Sequence, residues 1–258
     1  MLLAFDVGNT TIAIGVFRGR KLAKSWKIRT DGGKTVDEYG ALMLDLLRTA
    51  GLQAGRITAA IVSSVVPPLT PVIEETCRKY FGTEASVVGP GLKTGMPILY
   101  ENPLEVGADR ITASVAAFEK YGGPTIVLDF GTATTFDVIS AKGEYLGGAI
   151  APGIQIAAEA LTLKTARLPR IEIRKPKKAI GRTTVASMQS GLYFGYIGLV
   201  TNLVEEIRRE LGTKARVIAT GGFGGQVAVE LPLVEACEPD LVLEGLRIIH
   251  ERNRGGRA

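Results

Sequence analysis

Asp6-Val7-Gly8-Asn9-Thr10-Thr11 and Asp129-Phe130-Gly131-Thr132-Ala133-Thr134-Thr135-Phe136-Asp137 read as two copies of one device. Each follows a short apolar run, residues 2–5 and 125–128, with the character of a buried strand. Each continues into a second β-prone run, residues 12–17 and 136–140, which meets a turn at Arg18-Gly19-Arg20 or Ala141-Lys142-Gly143 before a third strand. Strand, tight polar bend and strand make a hairpin, and the bend glycine gives the backbone the freedom it needs. A bend with exposed amides and hydroxyls can bind phosphate, and a carboxylate beside it can hold a cation directly or through water. Turns favour these residue types anyway, so one copy carries little. Two copies, one per half, can clamp the phosphates of a single nucleotide.

The rest of the chain repeats that order. The first half reads as strands at 2–6, 11–17 and 21–29, a helix at 36–50, a strand at 57–66, a helix at 69–81 and a strand at 85–88. A loop at 101–110 then runs into a helix at 108–121. The second half reads as strands at 125–128, 134–140 and 145–151 and a helix near 154–163. A long helix at 184–211, a strand at 216–220 and a last helix at 241–251 follow. Gly122-Gly123-Pro124 marks the boundary, giving domains 1–121 and 122–258. The expected class is α/β: mixed sheets flanked by helices, in two duplicated domains with a nucleotide cleft between them.

Composition narrows the function classes. At 258 residues, 46% hydrophobic and 22% charged, the chain can bury a full core in one or two domains. Cys77 and Cys237 have no metal-ligand spacing, and His250 is the one histidine, which excludes a His-based triad or a zinc hydrolase. Both thiols are expected to be reduced. Met1 leads straight into a strand without a leader pattern, so a cytoplasmic location is expected. Residues 183–204 carry no charge and match a bilayer in length, but seven polar side chains among them favour a buried helix over a membrane span.

The net charge of +5 is concentrated between Lys164 and Arg182, where eight basic residues face Glu172 alone. A solvated basic connector accounts for it, as does attraction of anionic substrates. No aromatics are interleaved with these charges, so nucleic acid is not expected as a partner.

Several motifs in register resemble one family. Asp6-Val-Gly-Asn-Thr10, Ser63-Ser-Val-Val-Pro67, Asn102-Pro-Leu-Glu-Val-Gly-Ala-Asp-Arg110 and Asp129-Phe-Gly-Thr-Ala-Thr134 are four of them. Gly147-Gly148 with Pro152-Gly153, Ser187-Met-Gln-Ser-Gly191 and Thr220-Gly-Gly222 complete the set. In this order they are similar to type III pantothenate kinases of the sugar kinase, Hsp70 and actin superfamily, whose domains are RNase H-like. The resemblance implies ATP-dependent phosphorylation of pantothenate, the first step of coenzyme A biosynthesis. The other readings are a kinase of another small polyol on the same fold and a non-catalytic transcriptional accessory protein.

The resemblance also implies roles. Asp6, Val7, Gly8, Asn9, Thr10, Thr11, Ile12, Ala13 and Thr132 would contact ATP, with Asp6 holding Mg²⁺ through water. Asp129 would ligate a monovalent cation, K⁺ or NH₄⁺. Tyr100, Gly107, Ala108, Asp109, Arg110 and Thr184 would contact pantothenate, with Asp109 as the general base. By local sequence alone Asp109 serves equally as a helix-dipole or capping residue, Arg110 as a salt-bridge partner and Thr184 as a helix N-cap. Asp137 fits a solvent-facing strand residue as well as a functional acid, and stays outside the catalytic set. Gly191, Gly195 and Gly198 lie close to one face of the long helix and allow tight packing, in the core or across the homodimer that the resemblance implies. Gly221 to Gly225 leaves the adenosine contact open.

Overall fold

The computed structural model describes residues 1–222 and 230–254. Phe223 to Gly225 of the expected adenosine loop, and the tail beyond Arg254, lie outside them. The chain forms two compact units, Met1–Lys120 joined by the segment from Asp240, and Tyr121–Pro239.

In the first unit, β1 (Leu2–Val7), β2 (Thr11–Arg18), β3 (Lys21–Arg29), β4 (Ala59–Ser64) and β5 (Ala85–Val87) form one sheet of order β3-β2-β1-β4-β5. β1 runs antiparallel to β2 and parallel to β4. Alternation sends Leu3, Phe5 and Val7 of β1 with Ile12, Ile14 and Val16 of β2 to one face, where they form a core with Tyr39, Met43 and Leu47 of α1 (Val36–Thr49) and Ile73 and Cys77 of α2 (Thr70–Phe81). α1 buries Tyr39, Met43 and Leu47, spaced four apart, while Leu44 is exposed, so a helical stripe lies beneath the mixed run of leucines. Thr35 and Glu38 close a capping box at its start. Asp6 points to the opposite face of the sheet, with Leu2 and Ala4.

That opposite face is packed by the C-terminal helix, Leu241–Arg254. Leu241, Leu243, Leu246 and Ile249 are buried on it, and Leu243 closes in on the space that a side chain at Gly15 of β2 would need. A boundary after Tyr121 would assign this helix to the second half. It lies with the first unit instead, because its apolar stripe is matched to the β1–β2 face. Nothing in local sequence points a C-terminal helix back across the chain.

The second unit holds β6 (Thr125–Phe130), β7 (Ala133–Ile139), β8 (Tyr145–Pro152), β9 (Arg216–Thr220) and β10 (Ala236–Cys237), in the order β10-β9-β6-β7-β8. Ile126, Leu128 and Phe130 pack with Phe136, Val217 and Ala219 against Tyr196, Val200 and Val204 of α5 (Thr184–Leu211). Residues 183–204 therefore do not form a helix buried all round. α5 buries one stripe and leaves Val185 42% and Phe194 40% exposed. Among the described residues no helix is long and apolar enough to cross a membrane. Cys77 is buried, its thiol pushed up to about 12 by burial, and Cys237 is exposed; both are free.

Candidate active site

In the first unit three chain segments meet at the carboxyl ends of the parallel strands. The β1–β2 turn, residues 8–11, is closed by the Gly8 amide donating to Thr11 O at 3.0 Å, and Asn9, Thr10 and Thr11 are exposed at its tip. Thr30, just past the end of β3, braces the turn: its hydroxyl donates to Gly8 O at 2.6 Å and its amide to Thr10 O at 3.0 Å. Just past β4, the Val65 amide donates to Val7 O at 3.0 Å. At Gly107, just before α3 (Ala108–Tyr121), an added Cβ would meet the Val65 side chain and Asp109 Oδ1. The β1–β2 hairpin, the Ser63–Pro67 motif and the Gly107–Arg110 motif are thus one neighbourhood.

Asp109 and Arg110 are half-buried in the first turn of α3. Asp109 Oδ1 accepts the Arg110 amide at 2.8 Å, a local bond that fixes its side chain over the helix start. A carboxylate at this end is favoured by the helix dipole. The preceding loop is held by Asn102, which accepts the Leu104 amide and donates to Glu105 Oε1 at 2.8 Å. Tyr100 is exposed, as is Leu104. Asp6 Oδ1 is shielded from solvent beneath the hairpin.

The second hairpin is one residue tighter than the first. Asp6 pairs with Ala13, seven residues on, whereas Asp129 pairs with Thr135, six residues on. Its turn closes through the Gly131 amide to Ala133 O at 3.1 Å, with Gly131 and Thr132 exposed. The Gly153 amide, at the start of α4 (Ile154–Lys164), donates to Thr132 O at 3.2 Å, so the Pro152-Gly153 motif buttresses the turn. Asp129 stands at the carboxyl end of β6, beside Thr220 of β9 in the parallel register and against Gly221. Thr134, on the other face, bonds the Tyr196 hydroxyl at 2.5 Å inside the core. Burial, and then the nearby Asp129 charge, push the Tyr196 hydroxyl above its ordinary range, against the opposing effect of the Thr134 bond.

Thr184 opens α5, but the N-cap is Thr183, whose hydroxyl accepts the Ala186 amide at 3.1 Å. Thr184 instead lines a cavity of about 530 Å³ with Ala157, Leu161, Leu168, Met188 and Leu192. Asp137 is not solvent-facing: it is buried, bonded by the hydroxyls of Tyr145 and Thr135. Neither the Thr30 brace, the Thr183 cap nor the Tyr145–Asp137 bond was read from sequence, because each partner is brought in by strand pairing or by a turn geometry that no motif spells. The basic stretch 166–182 has no regular secondary structure; Arg174 pairs with Glu172 and Lys175 with Glu230.

Residues 2–206 match the sequence profile of type III pantothenate kinase. The chain belongs to the type III pantothenate kinase family. The type III pantothenate kinase of Geobacter sulfurreducens is 54% identical over 254 residues, covering 98% of this chain and all of that one. That of Moorella thermoacetica is 53% identical over 253 residues, with 98% and 100% covered. Among solved structures, the activator of 2-hydroxyisocaproyl-CoA dehydratase from Clostridium difficile with bound ADPNP superposes with a TM-score of 0.56 at 11% identity, covering 100% of this chain and 98% of that one. The ethanolamine utilization protein EutJ from Carboxydothermus hydrogenoformans gives 0.56 at 14%, covering 96% and 89%. At such identities the likeness is one of fold, and it bears out the expected duplicated α/β class. As a member of the pantothenate kinase family the chain is a phosphotransferase that uses ATP.

Proposed function

We propose that this chain transfers the γ-phosphoryl group of ATP to the primary hydroxyl of pantothenate, giving 4'-phosphopantothenate, the first step of coenzyme A biosynthesis. The observation that carries the reading is the family match along 79% of the chain, with more than half of all residues identical to full-length relatives. Phosphoryl transfer asks for alignment, neutralisation of charge on the transferred group and a group to receive the hydroxyl proton.

Residues Asp6 to Ala13 and Thr132 are assigned to ATP. Support comes from the two exposed turns, whose amides and hydroxyls suit phosphate oxygens, and from the Thr30 brace that fixes the first. Asp109 is assigned as general base for the pantothenate hydroxyl, and Tyr100, Gly107, Ala108, Arg110 and Thr184 as its contacts. Arg110 suits the pantothenate carboxylate by charge and geometry. The Arg110 amide donates to Asp109 Oδ1 and orients the carboxylate assigned to take the hydroxyl proton.

Two cations belong to this reading, Mg²⁺ at Asp6 through water and K⁺ or NH₄⁺ at Asp129. Among the described residues no three Asp, Glu, His or Cys side chains converge as a metal cage. One carboxylate with hydroxyl, water and nucleotide oxygens around it fits a hard cation held partly by substrate. Such cations supply neutralisation of phosphate charge.

An assay of ADP release with ATP, Mg²⁺ and pantothenate, run in K⁺ and then Na⁺, tests the reading. Turnover that requires pantothenate and falls in Na⁺ is expected. Turnover indifferent to the ion removes the role of Asp129, and turnover with a sugar but not pantothenate overturns the substrate.

A further inference from the structure

Removing a carboxylate from water is costly unless its oxygens are well bonded. Asp137 is only 1% exposed, although its place in the strand is compatible with a solvent-facing side chain. The Tyr145 hydroxyl donates to Oδ1 at 2.8 Å and the Thr135 hydroxyl to Oδ2 at 2.9 Å, and Tyr145 is itself fully buried. Two hydroxyls on one buried acid define a fixed array.

Its consequence lies in Thr135. A threonine hydroxyl has one proton and two lone pairs. Here the proton goes to Asp137, so Thr135 Oγ1 can offer only lone pairs to anything else. Thr135 stands directly across from Asp129 in the β6–β7 ladder, while Asp137 stands across from Val127. By strand alternation Asp129, Thr135 and Asp137 share the sheet face opposite the Leu128–Phe136 core. Residues so paired have Cβ atoms about 4.5–5.5 Å apart. A carboxylate and a proton-committed hydroxyl on neighbouring strands are both acceptors and do not bond each other. What they favour between them is a cation.

We infer that Thr135 Oγ1 is a ligand of the monovalent cation assigned to Asp129, and that Asp137, held by Tyr145, is a positioning residue that keeps the Thr135 proton out of the site. The inference rests on reading Asp129 as the cation carboxylate. One carboxylate and one neutral hydroxyl supply a single negative charge, which suits a monovalent ion better than a divalent one.

The full chain is tested by its melting temperature in KCl and in NaCl at equal ionic strength, alongside the K⁺ concentration giving half-maximal turnover. In the wild type K⁺ raises the melting temperature above its value in Na⁺. Thr135→Val and Asp137→Asn are expected to abolish that difference and to raise the half-maximal K⁺ concentration roughly 10- to 100-fold. KM for pantothenate should stay within about twofold in both variants. Thr135→Ser, which keeps the oxygen, retains the K⁺ response, and Tyr145→Phe weakens it; these two decide the matter if Thr135→Val does not fold. Asp129→Asn separates the two levels. If it loses the K⁺ response while Thr135→Val, Asp137→Asn and Tyr145→Phe keep it, the inference is overturned and the cation reading stands. If Asp129→Asn keeps the response, or the wild type has none, the cation reading fails and the inference with it.

Discussion

Gly221 and Asp129 stand too close for a side chain between them: a Cβ on Gly221 would clash with Asp129 Oδ1 and crowd the Phe130 backbone. Gly221 also has φ +91°, a conformation that other residues adopt only under strain. Thr220-Gly-Gly222 therefore fits around a carboxylate. Gly221→Ala is expected to displace Asp129 and to lower kcat by about tenfold or more, equivalent to at least ~1.4 kcal/mol of lost transition-state stabilisation. Steady-state kinetics in saturating K⁺ checks it; a variant of wild-type kcat would show that Asp129 tolerates displacement.

Asp109→Asn keeps the shape of the side chain and an oxygen to accept the Arg110 amide, so α3 should remain capped and the melting temperature close to wild type. What it loses is the ability to take a proton. Turnover should fall by roughly 10²–10⁴-fold, with KM for pantothenate little changed. A loss of stability with turnover intact would make Asp109 a helix-dipole residue and no more.

Much of this was legible from residue order. The runs 21–29, 108–121, 184–211 and 216–220 became elements with the same limits, because each is bounded by a turn, a proline or a glycine that ends it. Strand β10 leaves no signal in the sequence because two residues, Ala236 and Cys237, carry no period. Local periodicity likewise could not place the C-terminal helix against Gly15, nor show that the second hairpin is a residue shorter than the first. Those features depend on which distant surface is left to cover and on strand register, and neither is encoded within a window of neighbours. The same reason hid Asp137, whose burial is decided by Tyr145 on the next strand.

Among the described residues, Gly191, Gly195 and Gly198 of α5 have nothing beyond their own helix within 4 Å of where a side chain would begin. All three glycines are exposed, as are Val185 and Phe194 of the same helix. Small residues beside exposed apolar ones suit close approach of a second helix. A homodimer through this face is expected in multi-angle light scattering across a wide concentration range. Gly195→Glu should produce monomer, whereas a wild-type monomer at every concentration would remove the dimer.

The Thr134–Tyr196 bond sits inside the second core, where an unmatched hydroxyl cannot reach water. Thr134→Val should cost about 1–3 kcal/mol because the Tyr196 hydroxyl is left without its partner. Thr134→Val combined with Tyr196→Phe should recover part of that loss, since both polar groups are then gone. Denaturant midpoints of the two single variants and the pair make the comparison, and strict additivity would mean that the bond contributes nothing of its own.

His250 gives a dependence on pH whose sign can be worked out. Burial, aided by the Arg254 charge and opposed by Glu251, lowers its pKa below the ordinary value of 6.5, and its Nε2 is enclosed without a hydrogen-bond partner among the described residues. The unfolded chain, with an ordinary imidazole, therefore binds a proton before the folded one does as pH falls. Stability from this group is fully present above about 6.5 and is lost as pH drops through the lowered folded value. With a single histidine in the sequence, no other imidazole contributes to that step. Chemical denaturation of the wild type at pH 7.5 and 5.5 should show a fall in midpoint, and His250→Gln should flatten it. If His250→Gln loses as much stability over that interval as the wild type does, the step belongs to the carboxylates.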